Sequence, residues 1–281
     1  MGQSKRFLVV GGGKMGEAIL AGWIASDAAP ADSIDASCVT VVEPGEERLA
    51  YLEQTHGVAC VRDVREAPAV DVVVLSVKPQ VMMSVLASLC QNPVLTGEEA
   101  PLPLFVTIAA GLPTERIEAA LPEGSQLVRV MPNMPLSISA GASGVCKGAK
   151  ATDEQVRYVA DLFGCLGKAV IVDEADMDVV CAVSGSGPAY VAAMIESLRD
   201  AGAAQGLDAE LAETLALQTV LGTAQLISQT GASVAATRES ICSPGGTTIA
   251  ALEAMQAAGF DDVFAAGVDA AVKRAKELSQ C

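Results

Sequence analysis

The segment Ser243-Pro244-Gly245-Gly246-Thr247-Thr248 holds the residues of this chain best suited to chemistry. It precedes Ile249, Leu252 and Met255, apolar residues three apart, so a helix is predicted to start here. Ser243 suits the N-cap, and Pro244 suits the first helical position, where a missing N–H costs nothing. The two glycines keep side chains away from the first N–H groups. Such a bare helix N-terminus can hold a small anion such as a carboxylate, or it can be an ordinary helix start with a flexible entry.

A second group lies at the other end of the chain. Phe7-Leu8-Val9-Val10 has strand character, and Gly11-Gly12-Gly13-Lys14-Met15-Gly16 satisfies G-x-G-x-x-G. Ile19, Leu20, Trp23 and Ile24 then recur at helical spacing. A glycine motif between a strand and a helix is the context of a dinucleotide site. Gly11 permits the tight turn, Gly13 lets the backbone approach a pyrophosphate, and Gly16 lets the helix pack close to the strand. Glu43 ends the second strand, where a carboxylate can bind ribose hydroxyls and repel a 2′-phosphate, or can simply be solvated. Its distance from the glycines is longer than usual because the connection 25–37 is long.

Three more loops follow predicted strands. They are Ser76-Val77-Lys78-Pro79, Ala109-Ala110-Gly111 and Met131-Pro132-Asn133-Met134-Pro135. In an open α/β sheet, ligands lie outside the carboxyl ends of strands. Taken alone, each loop is also an ordinary βα turn. Lys78 can contact a phosphate or cap a solvated loop. Ser184-Gly185-Ser186-Gly187-Pro188-Ala189-Tyr190 reads as a second polar helix N-terminus, either a domain-connecting turn or part of a substrate pocket. His56, the only histidine, reads as an exposed turn residue. There is no Ser-His-Asp set and no paired-carboxylate motif. Chemistry without a histidine acid or base is therefore expected. Hydride transfer to an already protonated imine fits, because an iminium carbon is electrophilic without further help.

These residues need a frame. Strands are predicted at 39–43, 58–61, 71–75, 104–108, 127–130, 142–146 and 169–172, with helices at 46–54 and 153–166. This alternation predicts an α/β fold with an N-terminal Rossmann-type doubly wound sheet, largely parallel, over residues 1–172. From 173 to 281 the character changes to Ala-rich helices at 189–205, 208–229, 247–258 and 261–278. Their apolar residues are too numerous for one narrow stripe, so an all-α dimerisation domain covered by a partner subunit is expected.

Composition narrows the function classes. Aromatic residues make up only 3% against 51% hydrophobic, so the core must be built from Ala, Val, Leu and Ile. A net charge of −16 argues against nucleic acid or an anionic membrane as partner. No uninterrupted apolar run reaches transmembrane length. The eight cysteines are scattered without a C-x-x-C pair, so no metal site, no disulfide framework and a cytoplasmic location are expected.

The glycine motif, Val77-Lys78-Pro79, Ala109-Ala110-Gly111, Met131-Pro132-Asn133, the Ser184-to-Tyr190 segment and Cys242-to-Thr248 together resemble pyrroline-5-carboxylate reductase over essentially the whole chain. The resemblance implies reduction of 1-pyrroline-5-carboxylate to L-proline with NADPH or NADH, as the last step of proline biosynthesis. It implies a homodimer that can assemble into a decamer. It places the substrate carboxylate at Ser243, Gly245, Gly246, Thr247 and Thr248, with the Thr248 hydroxyl on the ring nitrogen as the catalytic contact. It places the cofactor at Gly11, Gly13, Lys14, Met15, Gly16, Glu43, Ser76, Val77, Lys78, Pro79, Ala109, Ala110, Gly111 and Asn133. Two departures stand out. Met134 replaces the threonine usual in that family, and Glu43 leans the cofactor choice toward NADH. A related imine or β-hydroxyacid oxidoreductase, or a dinucleotide-binding regulatory protein, are the other readings of the same plan.

Overall fold

A computed structural model of the chain describes residues 5–26 and 34–279. Much of the connection 25–37, and Cys281, lie outside the described residues. The order is β1 (Phe7–Val10), α1 (Lys14–Ala25), β2 (Val39–Val42), α2 (Glu46–His56), β3 (Ala59–Val61), β4 (Val72–Leu75), α3 (Pro79–Leu89) and β5 (Leu104–Thr107). Then come α4 (Thr114–Glu118), β6 (Gln126–Met131), β7 (Gly141–Lys147), α5 (Asp153–Gly164) and β8 (Gly167–Ile171). The chain continues as α6 (Met177–Val180), α7 (Gly187–Ala204), α8 (Ala209–Thr230), α9 (Val234–Ile241), α10 (Thr247–Ala257) and α11 (Phe260–Ser279).

The eight strands form one sheet in the order β3-β2-β1-β4-β5-β6-β7-β8. All neighbours are parallel except β6 and β7. The order reverses between β1 and β4, the switch point where an open α/β sheet leaves a crevice. Phe7 and Val9 belong to a core on one face of the sheet, Leu8 and Val10 to a core on the other. That is the two-residue alternation of a strand covered on both sides. Trp23 anchors the first face. Its ring lies 5.4 Å from Phe7 and 5.9 Å from Phe163, and its Nε1 donates to the Leu162 carbonyl at 2.8 Å. The fold is thus the expected Rossmann-type sheet followed by an all-helical region.

By compactness the chain divides after Ser186, and residues Ala271–Ser279 belong with the sheet unit. Within the helical unit, α7 packs on α8. Ala212, Ala216 and Thr237 are buried there, while Leu215, Leu217, Leu221 and Leu226 of α8 are each about half exposed. The unit also carries an apolar cavity of ≈ 600 Å³ lined by Tyr190, Met194, Leu198, Phe260 and Phe264 among others.

One sequence expectation fails at the entry to this region. Ser184 to Tyr190 does not start a new helix. Cys181–Gly185 forms a π-helical turn in which the Ser186 N–H donates to the Cys181 carbonyl five residues back, and α7 follows directly. The wide turn absorbs Pro188, which cannot donate to the carbonyl four residues earlier. The resulting helical run Glu174–Ala204 is long and apolar enough, by length and composition, to cross a membrane.

Candidate active site

The glycine-rich loop is built by close approach. Gly11 has φ +105°, and its N–H donates to the Val42 carbonyl at 3.0 Å. A Cβ there would stand 2.7 Å from the Ser76 carbonyl, and one at Gly16 would strike the Gly11 carbonyl. The start of α1 is thereby pressed against the ends of β1 and β4. Gly13 is the N-cap of α1, no side chain caps it, and the space beside its Cα is open. Lys14 and Met15 begin the helix. The Ser76 hydroxyl is buried at this loop with no hydrogen-bond partner. Uncapped N–H groups, open space above Gly13 and an unspent buried hydroxyl suit the pyrophosphate of a dinucleotide.

Beside the loop stand charged groups from α1, β2 and α2. Glu43 Oε2 accepts the Gly12 N–H at 3.2 Å, and its Oε1 accepts the Gly45 N–H at 2.9 Å. Arg48 Nε donates to the Gly12 carbonyl at 2.7 Å, and its Nη2 pairs with Glu17 Oε2 at 2.5 Å. His56 Nε2 lies 3.0 Å from Glu17 Oε1 with its side chain only 15% exposed. His56 is thus the half-buried last residue of α2 and not an exposed turn. Burial alone would raise the Glu17 pKa, but hydrogen bonds with His56, Arg48 and Tyr51 outweigh it and hold the carboxyl below its usual value. Arg62 pairs with Glu46. A cavity of ≈ 320 Å³ opens next to this cluster, lined by Gly11, Pro44, Arg62, Val77 and Val81 among others.

The other expected cofactor residues line one edge of the sheet, because the strands before them are adjacent and parallel. Ser76 follows β4 with its N–H on the Val10 carbonyl at 2.8 Å. Val77 is half-buried, Lys78 is the exposed N-cap of α3, and Pro79 is the first residue of that helix. Ala109 and Gly111 are buried after β5, with Ala110 half-buried between them. A Cβ at Gly111 would lie 2.9 Å from Leu278 Cβ, so α11 covers that glycine. Asn133 is 8% exposed and its amide is spent within the protein. Its Oδ1 accepts the Ala142 N–H at 2.8 Å, and its Nδ2 donates to the Ser184 carbonyl at 2.9 Å. Pro188 leaves that carbonyl without its usual donor, so the π-turn and the loop after β6 are joined through Asn133. Met134 points outward, 49% exposed.

The expected anion site lies in the helical unit, with its helix start displaced. Gly246, not Ser243, is the N-cap of α10, and Thr247, not Pro244, is its first residue. Gly245 has φ +70°, which turns the chain, and the Gly246 N–H donates to the Ser243 carbonyl at 2.9 Å. A Cβ at Gly246 would strike the Ser243 hydroxyl. Ser243-Pro244-Gly245 is therefore a tight turn that folds the Ser243 side chain back over the helix start. No side chain caps α10, whereas Asp208 caps α8 and Ser233 caps α9. The first N–H groups of α10 have no partner within the helix. Ser243, Gly245 and Thr247 are exposed, and Gly246 and Thr248 half-buried.

Glu17, Arg48 and His56 were not picked out as a site in the sequence. They lie 31 and 8 residues apart, and no spacing rule joins α1 to α2. Among the described residues no cluster of His, Cys, Asp and Glu suits a metal ion, and Cys38, Cys60, Cys90, Cys146, Cys165, Cys181 and Cys242 are free thiols.

Residues 174–278 match the family model described as pyrroline-5-carboxylate reductase dimerisation, and residues 6–98 match one described as NADP oxidoreductase coenzyme F420-dependent. The chain is 41% identical over 274 residues to a pyrroline-5-carboxylate reductase of Synechocystis sp., covering 97% of each chain. Its fold superposes on a pyrroline-5-carboxylate reductase of Coxiella burnetii with TM-score 0.89 at 33% identity, over 99% of both chains. A pyrroline carboxylate reductase of Plasmodium falciparum, solved with NADP bound, gives TM-score 0.81 at 29% identity over 98% of both.

Proposed function

The chain belongs to the pyrroline-5-carboxylate reductase family, and on that premise we propose that it reduces the C=N bond of 1-pyrroline-5-carboxylate to give L-proline, the last step of proline biosynthesis. It is an NAD(P)H-dependent oxidoreductase with a small-molecule substrate. The observation that carries this reading is the pair of uncapped helix starts, α1 after the glycine loop and α10 after the Ser243 turn, in one chain that matches the family end to end.

When bound, the reduced nicotinamide supplies the hydride. The chain supplies placement. Gly11, Gly13, Lys14, Met15 and Gly16 receive the pyrophosphate at the N-terminus of α1. Glu43 takes the ribose hydroxyls and leans the choice of cofactor toward NADH. Ser76, Val77, Lys78, Pro79, Ala109, Ala110 and Gly111 form the nicotinamide side, and Asn133 holds the adjoining loop through its spent amide. Ser243, Gly245, Gly246 and Thr247 hold the substrate carboxylate at the start of α10, and the Thr248 hydroxyl bonds the ring nitrogen. The protonated imine needs no histidine acid. Orientation of close, aligned reactants supplies much of the acceleration.

Residues 1–172 bind the dinucleotide, and 173–281 bind substrate and dimerise. The dimerisation region matched from residue 174 supports that division. The protein is a homo-oligomer, a homodimer with further assembly to a decamer. It works in the cytoplasm, without a nucleic-acid or membrane partner. The apolar faces of α7 and α8 are then subunit contacts, which supports an interface in place of a membrane span. The deciding experiment follows NADH and NADPH oxidation in the presence of pyrroline-5-carboxylate and measures proline. Folded protein that makes no proline with either cofactor would overturn the reading.

A further inference from the structure

The Gly12 peptides are held on both sides by charged side chains. Glu43 takes the Gly12 N–H, and Arg48 Nε donates to the Gly12 carbonyl at 2.7 Å. The carbonyl of Gly12 and the N–H of Gly13 belong to one peptide unit, and in a trans peptide they point in opposite directions. Drawing the oxygen toward Arg48 therefore turns the Gly13 N–H away from Arg48, at the uncapped start of α1. Arg48 is itself braced. Its Nη2 pairs with Glu17, whose other oxygen meets His56, and its guanidinium lies 5.0 Å from the centre of the Tyr51 ring. A half-buried guanidinium with two fixed partners is a rigid support, since its planar fork loses little freedom on bonding.

We propose that Arg48 is a positioning residue for the cofactor. Through the Gly12 carbonyl it sets the peptide plane that presents the Gly13 N–H to the pyrophosphate, and Glu17 and His56 keep it in place. The proposal deepens the dinucleotide-site reading and rests on it. Because NADH and NADPH share the pyrophosphate, loss of Arg48 weakens both alike. A side chain that reads the 2′-phosphate would instead affect NADPH alone.

The test is calorimetric titration of wild type, Arg48→Met, Arg48→Lys and Glu17→Gln with NADH and with NADPH, without substrate. Arg48→Met is expected to raise both Kd values about tenfold, the size of one lost charge-assisted hydrogen bond. Arg48→Lys, whose donors share a single nitrogen and lack the guanidinium's spaced fork, falls between it and wild type, as does Glu17→Gln. In turnover, the KM for cofactor rises with the Kd, while the KM for the imine stays put. Should Arg48→Met fail to fold, Arg48→Lys carries the same test. Unchanged Kd values in a folded variant overturn the proposal. A loss confined to NADPH also overturns it and assigns Arg48 to the 2′-phosphate. Wild type that binds neither cofactor overturns the dinucleotide-site reading itself.

Discussion

Glu43 Oε2 accepts the Gly12 backbone N–H at 3.2 Å, so the carboxylate at the end of β2 is tied directly to the glycine-rich loop. Its other oxygen takes the Gly45 N–H. Two nearby cations have partners of their own, Arg48 in Glu17 and Arg62 in Glu46 at the exposed surface. If the dinucleotide binds as proposed, the carboxylate would meet a 2′-phosphate as a fixed like charge and would accept hydrogen bonds from ribose hydroxyls. Glu43→Ser should lower the ratio of kcat/KM for NADH over NADPH by about tenfold. Steady-state kinetics with both cofactors measure it. A wild type that strongly prefers NADPH, with the ratio unmoved in the variant, would remove Glu43 from cofactor choice.

Thr248 is the second residue of α10 and half-buried at its uncapped start. Thr248→Val keeps the shape and removes the hydroxyl. One hydrogen bond to a charged group is worth about 1.5–3 kcal/mol, roughly a tenfold to hundredfold loss of kcat/KM. The Kd for NADH and NADPH should not change, since the glycine loop is untouched. Full activity in Thr248→Val would exclude the hydroxyl from catalysis.

The α8 surface should govern assembly. Leu215, Leu217, Leu221 and Leu226 leave about half their area exposed in the single chain. Apolar surface of that extent on one helix needs a cover. Light scattering should find no stable monomer at low micromolar concentration. Leu221→Asp, which places a charge in that cover, should shift the protein to smaller species or cause precipitation. A monomeric, active wild type would contradict the oligomer.

Glu17 gives a pH dependence with a definite sign. Its carboxyl is held below the usual value of 4.5, so the unfolded chain binds the proton more readily. The stabilisation is present above 4.5 and is lost as pH falls through the lowered folded-state pKa. Glu17→Gln cannot lose it. The Tm difference between wild type and Glu17→Gln should shrink on going from pH 7 to below 4.5. A difference that stays constant would mean the charge of Glu17 contributes nothing.

Much of this molecule was legible because its signals are local. The strand at Phe7–Val10, the glycine turn and the helix after it follow from residue types within one βα unit. The same holds for the change to Ala-rich helices after β8. The helix start at 243–248 was legible as a place and not in detail. Two successive glycines leave the backbone free, and the positive φ of Gly245 is what moved the first turn from Pro244 to Thr247. Ser184 to Pro188 misled for a related reason. Glycine and proline break isolated helices, but a π-turn with a donor from Asn133 carries the helix through them.

The sequence by itself determined the α/β class, the glycine loop and the place of a helix start near 243–248, since each depends on neighbours a few residues apart. Only the tertiary structure decided how the charged side chains are spent. Glu17, Arg48 and His56 meet because α1 and α2 flank the same loop, and Asn133 reaches Ser184 because the chain returns there after β8. A hydrogen bond requires contact within about 3 Å, and contacts between residues dozens of positions apart are set by packing, which no local pattern records.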